Sequence, residues 1–136
     1  MKDICVALYE YLSRDAELKA QIEDRLYPVV LPQSASLPAV VYTPMLAGYD
    51  SALTGDTGYV RQSIQINCHG KTFKKARELS RLIKSKLQDF HGDMRGLHIE
   101  AVFIKSDFLS DSNTALKFDT DEYMWVIEFE FHFNEK

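Results

Sequence analysis

The chain has 136 residues, 46% hydrophobic and 26% charged, a balance that suits one globular domain over residues 1–136 and excludes a disordered or fibrous chain. Its formal net charge of −4 excludes a surface that attracts phosphate all over, because nucleic-acid affinity rests mainly on neutralising backbone charge. No stretch approaches the roughly 18 uninterrupted apolar residues of a membrane-spanning helix, and the opening MKDICVALYEYLSRD lacks a small-residue cleavage site, so a cytoplasmic protein with no membrane partner is expected.

Ile4, Leu8, Tyr11 and Leu12 recur at helical spacing behind Asp3, a residue able to accept the free N–H groups of a first turn. Asp15 can cap a second, shorter helix with Leu18 and Ile22 on its buried side, and Tyr27-Pro28 ends helical geometry. Ala39 to Tyr42 is β-branched and aromatic, which predicts a short strand. Ala47 to Tyr59 is rich in Gly and Asp and reads as a long exposed loop or a flexible hairpin.

Alternation from Val60 to Cys68 predicts a half-buried strand. Phe73, Ala76, Leu79, Ile83, Leu87 and Phe90 then form one helical stripe, with Thr72 as its N-cap and Gly92 as its stop. Leu97 to Ile104 predicts another strand, and Ser106 to Glu122 a polar loop. The last strand, Tyr123 to Phe133, alternates most clearly. The expected fold class is α+β, a mixed or antiparallel sheet of about four strands with helices packed on one face, and with Trp125, Phe129 and Phe131 in the core beneath the 73–90 helix.

Catalytic apparatus is not expected. There is no Gly-x-Ser-x-Gly elbow and no phosphate-binding Gly-rich loop. Glu128 and Glu130 share a strand face, the pattern of surface carboxylates more than of an acid/base pair. His69, His91, His98, His132, Cys5 and Cys68 lack the paired close spacing of a zinc site, and Asp111 with Asn113 lacks the rest of a calcium loop, so no metal and no cofactor is expected. The two cysteines read as buried thiols of a reducing compartment.

One charge asymmetry stands out: seven cations lie between Lys71 and Lys86, with Glu78 the sole acid among them. Beyond a solvated helix face, this pattern fits an interface in which Lys74, Arg77, Arg81 and Lys84 meet acids such as Asp15 and Glu17 of a neighbouring copy. The alternative is a small nucleic-acid-binding module that sets the 71–86 helix on phosphates.

The order of the pieces resembles a family. The amphipathic start ALYEYLSRDAEL, the pair Tyr27-Pro28, the stretch Leu37-Pro38-Ala39-Val40-Val41-Tyr42, the strand Arg61 to Cys68, the helix from Ala76 and the closing aromatic strand are similar to the tail-completion, or tail-terminator, proteins of long-tailed phages and prophages. The basic helix face and the 106–122 segment lie outside these motifs. The resemblance implies a ring, typically of six subunits, that caps the finished tail tube and meets the head connector. The implied partners are further copies of the chain, the tube protein and the connector protein. DNA would be a passing strand, and six copies at −4 each would repel phosphate from the lumen. The implied place is the cytoplasm during assembly and the virion tail afterwards.

Overall fold

A computed structural model describes residues 2–110 and 122–135. Among these, the chain forms helices α1 (Ile4–Ser13), α2 (Ala16–Ile22) and α3 (Phe73–Leu87) and strands β1 (Leu26–Pro28), β2 (Ala39–Ala52), β3 (Gly55–Gly70), β4 (Gly92–Met94), β5 (Leu97–Leu109) and β6 (Tyr123–Asn134). All three expected caps form. The Asp3 carboxylate accepts from the Cys5 N–H at 2.7 Å, Asp15 from Leu18 at 3.0 Å, and the Thr72 hydroxyl from Lys75 at 3.1 Å, each satisfying a donor that a helix start leaves free.

The sheet runs β1-β2-β3-β6-β5-β4. Only β1 and β2 pair in parallel; every other neighbouring pair is antiparallel. The α+β class and the mixed sheet hold, but six strands replace about four. The two extra strands, β1 and β4, have three residues each, too few to display a period of two.

Three further boundaries differ from expectation. Helix α3 stops at Leu87 rather than Phe90, because Gln88 turns extended and Asp89 takes a φ of 61°. Gly92 opens β4 instead of ending the helix, while Phe90 still meets Tyr11 edge-on at 5.1 Å. Strand β5 continues to Leu109, so Ser106 and Leu109, assigned by composition to a loop, pair with Glu128 and Trp125. Most of the remaining acidic segment, residues 111–121, and with it the calcium reading at Asp111, lies outside the described residues.

The helices and the inward strand residues share one core. Leu8, Leu12, Leu18, Leu79, Ile83, Ile64, Ile66, Phe129 and Phe131 are all buried there. Burying each such side chain stabilises the fold by about 1.5–3 kcal/mol. Trp125, expected deep in the core, sits half-buried at its margin. Its indole meets only the first turns of α3, where it packs against the partly and largely exposed side chains of Arg77 and Phe73 rather than beneath Leu79, Ile83 and Leu87. Where β3 hands over to α3, a Cβ on Gly70 would come within 2.6 Å of the Ala76 nitrogen, so the approach of helix to strand requires glycine.

The segment 47–59 is a hairpin, the second of the two forms expected for it. Strands β2 and β3 stay paired out to Ala52 and Gly55, with register shifts between Pro44 and Ala47 and between Tyr49 and Ser51. Gly55, at a φ of 127°, closes the turn. Strand β1 pairs only with Val40, Val41 and Tyr42, so beyond Tyr42 the β2 edge of the hairpin has no strand partner among the described residues, while β3 stays paired with β6 as far as Tyr59; this open-edged hairpin is called the arm.

Candidate functional site

The outward face of α3 has less free charge than its sequence suggests. Arg77 lies 4.3 Å from the centroid of the Trp125 ring and 3.8 Å from the Asp107 carboxylate, and that carboxylate also accepts from the Trp125 indole N–H. Lys86 reaches across to α2, 3.2 Å from Asp15 and 2.8 Å from Glu17. Two acids expected to meet a neighbour are therefore engaged within their own chain. Among the other cations, Lys74 stands 4.0 Å from Glu78, an exposed pair of little weight. Arg81 and Lys84 line a groove of about 230 Å³ with Arg77, Ser85 and Gln88.

The ligand-type residues are dispersed. His69 is buried and lies 2.8 Å from Glu122, and His98 lies 3.5 Å from Glu100. Burial pushes the Cys68 thiol far up. Among the described residues no three His, Cys, Asp or Glu side chains converge as metal ligands.

Glu130 does not pair with Glu128 but enters a network on the bare side of the sheet. The Tyr59 hydroxyl is 2.6 Å from Nδ1 of His132, Nε2 of His132 is 2.7 Å from Glu130, and Lys105 is 3.5 Å from the same carboxyl group. An ionised carboxylate can only accept, so Nε2–H donates to Glu130 and, in the neutral ring, Nδ1 accepts from Tyr59. The hydrogen bond from His132, with Lys105 nearby, holds the Glu130 carboxyl below the usual range. The network ties the root of the arm, at Tyr59, to β6.

Two apolar surfaces escaped the sequence reading. The first is a hollow of about 410 Å³ lined by Cys5, Val6, Tyr9, Leu26, Pro28 and Tyr42, between the outer side of α1 and the β1 edge. Val6 and Tyr9 are exposed there. The uninterrupted apolar run from Ile4 to Tyr9 was the available signal, since an amphipathic helix needs only one such face. The second is the arm, where Met45, Leu46, Tyr49 and Leu53 are exposed, Leu46 at 77% and Leu53 at 108%.

Among the described residues, no helix is long and apolar enough to cross a membrane. No curated protein matches the chain in sequence. In fold it is similar to a chain from the virion of a native gene transfer agent particle, at a TM-score of 0.77 and 16% identity over 96% of this chain and 94% of that one. A second solved chain is similar at a TM-score of 0.54 and 13% identity, covering 98% and 96%. Those identities speak for a shared fold alone. The model of the tail completion protein gp17 family matches residues 6–128, which takes in the helices, the arm and most of the sheet. The chain therefore belongs to the tail completion protein gp17 family, structural proteins of the phage tail.

Proposed function

We propose that the chain is a non-catalytic subunit of a homo-oligomeric ring, of six copies, that caps the finished tail tube and meets the head connector. The observation that carries this reading is the pair of exposed apolar surfaces, hollow and arm, in a member of a tail completion family. A solitary soluble domain has no use for them, and a subunit flanked by neighbours does. The net charge of −4 per copy supports a lumen through which DNA slides without adhering. Its partners are then further copies, the tube protein and the connector, with assembly in the cytoplasm.

Charge has a smaller part. With Asp15 and Glu17 engaged by Lys86, and Arg77 held by Trp125 and Asp107, the expected interface cations still available to a neighbour are Arg81 and Lys84, with Lys74 at the exposed end of the helix. Such rim charges steer association more than they hold the assembly. Deleting the gene from its phage tests the reading: tails of irregular length that fail to join heads are expected, and uniform tails that join heads normally overturn it. Light scattering of the isolated protein should approach six times the 15.6 kDa chain mass as concentration rises.

A second reading, a nucleic-acid-binding module on α3, draws on the groove beside Arg77, Arg81 and Lys84. A salt-dependent shift of DNA in a gel would favour it, and no shift at low salt removes it.

A further inference from the structure

We propose that the tip of the β2–β3 arm of one copy seats in the hollow beside α1 of the next copy, with Leu53 as the side chain that enters. The proposal rests on the ring reading and names the contact that builds it.

The two surfaces match in chemistry. No charged residue lines the hollow, and none lies between Asp50 and Asp56 at the tip, where the sequence reads Ser51-Ala52-Leu53-Thr54-Gly55. Leu53 occupies the turn and is fully in water. Nothing in the fold of the isolated subunit requires a leucine there, since the turn geometry is supplied by Gly55. An apolar side chain held out on a paired hairpin, with an apolar depression elsewhere on the same chain, is the arrangement of a knob and its hole.

The knob does not fill the hole of its own chain. Tyr42 forms part of the wall of the hollow, and β2 runs outward from it to Ala52. At its tip Leu53 is fully exposed and is not among the residues lining the hollow. The occupant is therefore a second molecule. Because knob and hole are different patches, the contact is heterologous: an open series of any length keeps one free knob at one end and one free hole at the other, and ends only on closure into a ring. A tip-to-tip contact would instead stop at two copies.

Cys5 makes the contact testable, because it lines the hollow as a free thiol while Cys68 is fully buried. In the full chain, Leu53→Cys sets a second thiol at the knob. Diamide joins two thiols into a disulfide and is itself reduced to the hydrazine, taking up both electrons and both protons. Burial and the Asp3 carboxylate push the Cys5 thiol up, so the reaction is run at alkaline pH, where more thiolate attacks. The expected result is a ladder of cross-linked species on a non-reducing gel, from two copies up to the ring number, reversed by reductant and cut to dimers at most by adding Cys5→Ser. Leu53→Asp should weaken self-association about tenfold or more.

Dimers alone, unchanged by Cys5→Ser, would mean tips touch tips and would overturn the proposal. So would the absence of any cross-link, or an unaffected Leu53→Asp, in a protein whose wild type reaches ring mass; the ring reading would then survive, with the tip left to the tube or connector. A wild type that stays at the mass of one chain at every concentration would overturn both.

Discussion

Strands β2 and β3 pass through two surroundings. Near their base, Val40, Ile64, Ile66 and Cys68 face the helices and are fully buried. Past Tyr42 the side chains of β2 lose that cover, and Met45, Leu46, Tyr49 and Leu53 stand in solvent, while β3 opposite them stays buried at Ile64 and Val60. The ladder of backbone hydrogen bonds continues through both halves, so it is side-chain cover, not pairing, that separates them. A hairpin without cover is marginal as a folding unit. The base therefore carries stability, and the apolar residues of the arm are available for a partner.

The base should break hard. Phe129 is fully buried beside Phe131 at a ring separation of 6.3 Å, so Phe129→Ala should lower unfolding free energy by about 3–5 kcal/mol in a denaturant titration. A loss below about 1 kcal/mol would mean that this face is not the core. Gly70→Ala comes next. Its methyl group has to displace the backbone of α3 at Ala76, a strain of about 1–3 kcal/mol, and an unchanged midpoint would show that the helix start shifts freely.

The junction between base and arm should respond to pH. Glu130 is held below its ordinary pKa, first by the hydrogen bond from His132 and then by Lys105. A depressed folded pKa contributes stability above the unfolded value, about 4.3 for Glu, and loses it as pH falls through the folded value. Glu130→Gln should thus cost under about 1 kcal/mol at pH 6, with the difference from wild type shrinking below about pH 4. A cost that stays constant down to pH 2 would assign the effect to shape rather than charge.

Legibility in the sequence followed the same division. The covered elements were readable because cover imposes a period: the α3 stripe from Ala76 to Leu87, the β6 alternation from Ile127 to Phe133 and the Asp3, Asp15 and Thr72 caps stand where the pattern put them, while the two ends of the stripe, Phe73 and Phe90, lie exposed and beyond the helix respectively. The short edge strands had no room for a period, and the end of β5 was masked by Ser106 and Asp107, polar residues that a strand at a sheet margin tolerates. The arm read as loop or hairpin because Gly and Asp serve either. Charge counts misled most between α2 and α3: Asp15 and Glu17 looked free in one dimension and are bound to Lys86 in three. The hollow needed two distant segments, 5–9 and 26–42, to be brought together before it existed at all.

The smallest expected effect is the sharpest test of the comparison, because it makes one chemical change in both surroundings. Leu79 and Leu53 are the same residue, one fully buried and the other fully exposed. Leu79→Ala removes the same carbons as Leu53→Ala, but in the core it gives up buried contacts and leaves a cavity, at about 2–5 kcal/mol. At the tip there are no contacts to lose, and alanine suits the turn as well as leucine does, so unfolding free energy should move by less than about 0.5 kcal/mol. The measurement belongs at protein concentrations where single chains dominate, since a partner that binds the folded form adds its own stabilisation. If Leu53→Ala cost as much as Leu79→Ala under those conditions, the tip would be packed within its own subunit, and an arm kept for a neighbour would have no basis. If the cost is absent in single chains and emerges only as concentration rises, Leu53 contributes to assembly and not to folding, which is the division of labour that the two halves of the hairpin imply.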